Sequence, residues 1–457
     1  MKFVNREAEL RELAELEALS KKKLFVIALY GLRRVGKTRL LLEHIKGRGL
    51  YFFVNKGKTS ADLLGEFQGI LRKSGIMTEL ETLGSWDKFF EVLMTRAPPP
   101  SIFDEFQNFK FVEPSVFGML QKNIDLNENK PGLIMLSGSL IGLMKNLFTD
   151  SKEPLYGRVK KGIKLEPLGL SACLQLGNEL KLGKEELVEF YCIFGGYPKY
   201  YVALEDFGLQ GKKMEQILDA LLLAKDAPLE DEVNSILSQE FGGRSGIYYS
   251  ILEAIAAGNN TNSAIAGYIG SQPTSITRQI NELKDYFEMI DFEMPYSGKR
   301  GIYRIRHPLM GFWFSQIYRN FSDYASRKSE FIGALKKNMN TLYGKAFERA
   351  ATEFLIRQLG LLEARRQWGK IPGAEKGKNT YEIDLIGKNK SGTFAFEFKW
   401  KDLGHGEALG ELNALMAKAK HVQGLPSDVK FGLVAKRIRE KQKLRAAGYL
   451  AYDIEDF

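Results

Sequence analysis

The stretch Gly31-Leu-Arg-Arg-Val-Gly-Lys-Thr38 has the residue types and spacing of a loop that holds a phosphate chain. It fits G-x-x-x-x-G-K-[ST] with no mismatch. Gly31 and Gly36 let the backbone curl so that successive N–H groups face one anion. Lys37 can reach the β- and γ-phosphates of a nucleotide, and the Thr38 hydroxyl can ligate Mg²⁺. A second chemistry-bearing stretch is Ser101-Ile-Phe-Asp-Glu-Phe-Gln107. Adjacent acids after apolar residues read as a Walker B element: Asp104 would hold the Mg²⁺ shell, and Glu105 would orient and polarise an attacking water. An exposed acidic turn is the alternative for this pair.

Those residues act together only if the chain positions them. Leu24 to Tyr30 is an uncharged apolar run of strand length, and Arg39 to Ile45 reads as the first turns of a helix. Strand, loop and helix start place the loop amides at a helix N-terminus, which favours an anion. Gly49 to Asn55 and Gly132 to Ser139 are further buried-strand candidates, and Pro98-Pro99-Pro100 ends the helix before the acids. Strands alternating with helices over residues 24–165 predict a parallel α/β sheet. Residues 166–235 read as helices only. Residues 244–307 carry three short helices and two strand candidates around Ser297-Gly-Lys-Arg300, the pattern of a winged helix-turn-helix. Ser275, Thr277, Arg278 and Gln279 could face a groove, with Lys299 and Arg300 on the wing. A packing module is the alternative. The predicted units are a P-loop core at 1–165, a helical lid at 166–240, the winged helix at 241–325 and a last α/β domain at 326–457.

Length and composition agree with a multidomain α/β chain. At 457 residues it is too long for one core. Two cysteines make no disulfide framework, and four scattered histidines argue against a zinc site. Lys and Arg number 66 against 56 Asp and Glu, a net charge of +10, so an anionic partner is expected, nucleic acid first. A charge-rich surface of a heat-tolerant protein could give the same figure. No apolar run spans a bilayer, and the charged start is not a signal peptide, so a cytoplasmic protein without membrane contact is expected.

In the last domain, Leu342 to Phe354 reads as a helix with Phe347, Ala350, Ala351 and Phe354 inward. Tyr381-Glu-Ile-Asp-Leu-Ile386 and Thr393-Phe-Ala-Phe-Glu-Phe-Lys-Trp400 follow as strands. The second alternates strictly, so Glu397 and Lys399 share a face opposite Phe394, Phe396, Phe398 and Trp400. The order Asp384…Glu397-x-Lys399 resembles PD-(D/E)xK nucleases, with Glu348 matching their helical acid. That resemblance implies Mg²⁺ or Mn²⁺ on Asp384, Glu397 and Glu348, with Lys399 positioning the water. Ordinary edge-strand charge is the alternative. Lys430 to Arg445 holds seven basic residues against one acid, a backbone-binding track or a solvated helix face.

Phe3-Val-Asn-Arg-Glu-Ala-Glu9, with Asn5 as cap of the helix that follows, resembles the start of STAND-type and archaeal AAA+-like ATPases, which lies against the nucleotide base. Asn5 stands where that family has glycine, a tolerable change because Asn accepts left-handed backbone angles. Gly195-Gly-Tyr-Pro198 is similar to the Gly-x-Pro motif of STAND proteins. Over essentially its whole length the chain resembles the archaeal ATPase family. The resemblance implies ATP or ADP with Mg²⁺, bound through Asn5, Arg6, the loop Gly31, Leu32, Arg33, Arg34, Val35, Gly36, Lys37, Thr38, then Arg39, Pro198 and a polar sensor, Ser137 or Ser139. Arg158 is an arginine-finger candidate, with a surface role as its alternative. The expected function is an ATPase coupled to DNA, with a C-terminal domain that binds or cuts it. The competing expectation is a nucleotide-switched scaffold in which ATP assembles homo-oligomers and the nuclease-like domain is inert.

Overall fold

The computed structural model describes residues 3–457 except 97–99, 243–244, 372, 374 and 376–378. Pro98 and Pro99 of the predicted helix stop lie outside the described residues. The N-terminal sheet has five strands: β1 (Leu24–Tyr30), β2 (Leu50–Phe53), β3 (Ser101–Asp104), β4 (Gly132–Gly138) and β5 (Lys161–Lys164). They run parallel in the order β2-β3-β4-β1-β5. β1 is an unbroken apolar run because helices cover both faces of a parallel sheet. One face carries an aromatic core in which Phe52, Phe67, Phe89 and Phe103 stack or meet edge to face. β4 lies between the strand that feeds the phosphate loop and the strand that ends in Asp104. The loop and the acids therefore emerge side by side at the C-terminal edge of the sheet, where ligands of open α/β sheets bind.

Helices at Pro198–Asp206 and Glu232–Phe241 reach the phosphate loop at that edge through Pro198 and Glu232, and the Lys184–Phe194 helix packs in the same core. Then come helices Ser245–Ala256, Asn262–Tyr268 and Pro273–Asn281, followed by an antiparallel ribbon of β6 (Ile290–Glu293) and β7 (Ile302–Ile305). Thr261 caps the middle helix by accepting the Ala264 N–H, and Pro273 opens the third, where a missing N–H costs nothing.

The last sheet holds β8 (Glu363–Lys370), β9 (Thr380–Asn389), β10 (Gly392–Leu403), β11 (Lys430–Ile438) and β12 (Leu450–Asp453), in the order β12-β11-β10-β9-β8. β10, β11 and β12 are parallel; β8 and β9 run antiparallel to their neighbours. The Met339–Leu359 helix covers one face with Phe347, Ala350, Ala351 and Phe354, as their spacing predicts. The His405–Ala419 helix covers the other. β10 is thus a central strand with both faces buried, which removes the edge-strand alternative for Glu397. One apolar core runs from the N-terminal sheet to the last helix and crosses the junctions expected at 165, 240 and 325.

Candidate functional site

The phosphate loop leaves β1 and enters the Lys37–Ile45 helix through Gly36, whose φ of 95° only glycine adopts without strain. Lys37 is buried; its Nζ donates to the carbonyl oxygens of Gly31 at 2.8 Å and Leu32 at 3.1 Å. Burial pulls its ammonium down to about 8, against the pull of Glu105 and Asp104. Thr38 Oγ1 donates to Asp104 Oδ2 at 2.6 Å, and the Tyr51 hydroxyl donates to the same oxygen at 2.9 Å. Asp104 is buried at the end of β3. Glu105 follows with φ 54°, and its Oε2 accepts from Gln107 Nε2 at 2.5 Å and Ser139 Oγ at 2.7 Å.

A cavity of about 590 Å³ opens beside these groups. Arg6, Arg33, Arg34, Val35, Gly36, Lys37, Thr38, Arg39, Glu105 and Pro198 line it, as does Ser139. Asn5, Gly31, Leu32 and Ser137 do not. Ser137 is fully buried inside β4 and its hydroxyl has no hydrogen-bond partner among the described residues, whereas Ser139 lies past the strand end. Ser139 therefore replaces Ser137 at the polar position facing Glu105. Asn5 takes the expected left-handed angle, φ 52°, but the capping position belongs to Arg6, and no side chain caps the helix. Arg6 is a brace: its guanidinium donates to the carbonyls of Val35 and Glu166 and pairs with Glu9.

The Gly-Gly-Tyr-Pro turn closes over this cavity. A Cβ on Gly196 would meet the Leu168 carbonyl oxygen at 1.6 Å, so only glycine permits the approach. Pro198 starts the Pro198–Asp206 helix, and its ring lies 3.7 Å from where a Cβ on Gly36 would stand. The Glu232–Phe241 helix clamps the loop arginines. Glu232 accepts from Arg34 at 3.0 Å and Lys199 at 2.6 Å, and Glu240 pairs with Arg33 at 3.5 Å. The sequence reading missed Glu232, Glu240 and Lys199, which lie far from the motif along the chain, and Tyr51 on the next strand. Arg158 is paired with Asp125 at the surface, away from the cavity.

The C-terminal acids are arranged differently. The β9–β10 pairing stops at Leu385–Phe396, one residue short of Asp384 and Glu397, so the strands part at the acids. Asp384 Oδ2 accepts the Phe398 N–H at 2.7 Å. Burial, then Glu397 and Glu348, push its carboxyl up to about 7. Lys399 donates to Glu397 Oε1 at 2.8 Å, and Lys418 of the His405–Ala419 helix donates to both Glu397 oxygens at 2.9 and 2.8 Å. Glu348 pairs with Arg304 of β7 at 3.4 Å and Arg366 of β8 at 3.3 Å. Among the described residues no group of three or more His, Cys, Asp or Glu could hold a metal ion. The expected ligation by Glu348, Asp384 and Glu397 does not fit this arrangement, because internal cations take up two of the three carboxylates. Lys418 was not legible as their partner.

The basic stretch from Lys430 is divided between β11 and the Lys441–Ala446 helix, and much of its charge is neutralised. Lys436 and Arg437 pair with Glu185, Lys441 with Asp453 and Asp456, and Arg445 with Asp456. It is not a free backbone-binding track. Among the described residues no helix is long and apolar enough to cross a membrane.

Residues 3–204 match a family of ATPase domains predominantly from Archaea, and residues 313–410 match a family of archaeal and bacterial proteins of unknown function. An uncharacterized protein of Methanocaldococcus jannaschii is 31% identical over 472 residues, covering 100% of both chains. The fold is similar to a Walker-type ATPase of Pyrococcus abyssi, with TM-score 0.54, 22% identity and coverage of 68% of this chain and 96% of that one. The ORC2 protein of Aeropyrum pernix matches at TM-score 0.47 and 14% identity, covering 71% of this chain and 95% of that one.

Proposed function

The chain belongs to the archaeal ATPase family, and we propose that it is a Mg²⁺-dependent ATPase coupled to DNA binding or processing through its winged helix and its C-terminal domain. The 2.6 Å bond between Thr38 and Asp104 carries the nucleotide half of this reading. It brings a hydroxyl and a carboxylate oxygen, both hard donors, to one point beside the phosphate loop. Such a pair suits Mg²⁺, which is commonly held by one or two carboxylates with water and phosphate oxygens supplying the rest. Thr38 and Asp104 would hold the ion, which neutralises charge on the phosphates.

Lys37 now faces two loop carbonyls, and it would turn to the phosphates that replace them. Arg33, Arg34 and Lys199 add positive charge near the cavity, restrained by Glu232 and Glu240. Ser139 and Gln107 hold the Glu105 carboxylate, which would accept a proton from the attacking water once aimed at it. Pro198, over Gly36, would report the loop's state to the helices that follow.

For the DNA half, the net charge of +10 and the exposed side chains Ser275, Thr277, Arg278, Lys299 and Arg300 support a winged helix that meets phosphate backbone. Gln279 is half-buried. In the C-terminal domain the pairing of Glu397 and Glu348 with internal cations supports binding more than cutting. The same pairing favours a second reading, a nucleotide-switched scaffold with an inert nuclease-like domain. Measuring ATP turnover with and without double-stranded DNA, on wild type and Lys37→Ala, decides between them. DNA stimulation that vanishes in the variant supports coupling. Turnover indifferent to DNA, with ATP-driven oligomers, supports the switch.

A further inference from the structure

A second cavity, of about 290 Å³, lies where the Lys184–Phe194 helix, the β6–β7 ribbon and the Met339–Leu359 helix meet. It has about half the volume of the nucleotide cavity, 290 against 590 Å³. That is the lower end of small-molecule pockets, about 300–1,000 Å³. Its wall is two-sided. Tyr303, Phe312 and Leu342 supply flat and apolar surface, while Arg304, Arg349 and Arg366 bring guanidinium groups to the other part of the lining.

Arg349 is the distinctive member. It donates to the carbonyl oxygens of Arg306 at 2.6 Å and Ile305 at 3.5 Å, and among the described residues it has no ion-pair partner. The same holds for Lys345, exposed at the rim. With burial the larger cause, Arg349 helps to push the neighbouring His307 down to about 3. Its charge is therefore felt locally. Arg304 and Arg366 differ from Arg349: both pair with Glu348 and Glu293, and Arg366 also pairs with Glu382. A phosphate matches the fork of the Arg349 guanidinium, which is held by two backbone carbonyls and no ion pair among the described residues. An aromatic wall beside a cationic one suits a base or sugar carrying a phosphate.

We propose that this cavity is a binding site for a nucleoside monophosphate unit, with the phosphate on Arg349 and Lys345 and the base against Tyr303. The unit is either the 5′-terminal nucleotide of a DNA strand held by the winged helix or a free mononucleotide. The first source rests on the DNA-coupled reading above; the second does not.

The test uses the full chain carrying Lys37→Ala, which disables the phosphate loop. Anisotropy compares single strands of one sequence with a 5′-phosphate or a 5′-hydroxyl, and thymidine 5′-monophosphate is added as competitor. A strand source predicts binding about tenfold tighter with the 5′-phosphate, equivalent to about 1.4 kcal/mol. That advantage is lost in Arg349→Gln and reduced in Lys345→Ala. A free-ligand source predicts thymidine monophosphate binding by calorimetry that both substitutions weaken, without strand preference. If Arg349→Gln melts early, Lys345→Ala alone decides. Equal binding of the two strands with no mononucleotide binding overturns the proposal, as does a preference that survives both substitutions. DNA binding without a 5′-phosphate preference would leave the coupled reading intact while this site fails.

Discussion

The two acid-bearing sites of this chain differ in what stands opposite each acid. At the end of β3, Asp104 faces a threonine hydroxyl and a tyrosine hydroxyl, and Lys37 is turned onto loop carbonyls. Asp104 has no ion-pair partner among the described residues, and it stands beside a cavity large enough for a nucleotide, whose loop arginines pair with Glu232 and Glu240. At the parting of β9 and β10, Glu397 is held by two lysines and Glu348 by two arginines. Glu397 is as buried as Asp104 and Glu348 half-buried, but their charge is already balanced from within. The first site is poised for a charged ligand. The second needs its resident cations displaced first, and one of them, Arg304, belongs to the β6–β7 ribbon rather than to the C-terminal sheet.

Substitutions can break this contrast, and the largest effect falls on Glu105. Glu105→Gln keeps the shape but loses the proton acceptor. ATP turnover should fall roughly 10²–10⁴-fold while ADP affinity is kept, as phosphate release and calorimetry would report. A fall below tenfold would remove Glu105 from the water-orienting role. Next in size is Arg304→Gln. With one of its two counter-cations gone, Glu348 becomes available to a metal, and Mn²⁺ affinity at the C-terminal acids should rise about tenfold, about 1.4 kcal/mol. Unchanged affinity would mean that Arg304 does not hold the site closed.

Pro198→Ala should weaken ADP by about three- to tenfold, the loss expected for one or two buried methylenes over Gly36. The smallest effect concerns pH. Burial holds the Glu240 carboxyl up at about 7 against an ordinary 4.5, with Arg33 pulling the other way. The native chain then binds more protons at this group than the unfolded chain between those values. Its contribution to stability is full below pH 4.5 and is lost as pH rises through 7. The melting temperature of wild type minus that of Glu240→Gln should fall across this window and level off above it. A flat difference would show that Glu240 ionises normally.

The contrast between the sites also separates what the sequence could disclose. The phosphate loop and the Asp104-Glu105 pair are short contiguous patterns, so their chemistry is written locally. The alternation of Thr393 to Trp400 assigned both faces of β10 correctly, because side-chain direction is a local property of a strand. Whether β10 was central or at an edge depended on two helices and four other strands. The choice between Ser137 and Ser139 turned on where β4 ends, and boundaries are set by the hydrogen-bonding partner β1. Glu232 and Glu240 reach the loop arginines from some 200 residues away, and Arg304 reaches Glu348 from the β6–β7 ribbon, 44 residues earlier; no local spacing announces either contact. Arg6 was placed beside the nucleotide by resemblance, but its carbonyl partners show that it also braces the loop.

The most direct test counts metal ions. Mn²⁺ is titrated into the full chain with saturating ADP, without DNA, and free Mn²⁺ is followed by electron paramagnetic resonance. One tightly bound ion per chain, lost in Asp104→Asn and unaffected in Glu397→Ala, is the expected result. A second tight ion that disappears in Glu397→Ala, or a single ion that survives Asp104→Asn, would contradict the contrast between an open site at Asp104 and a closed one at Glu397.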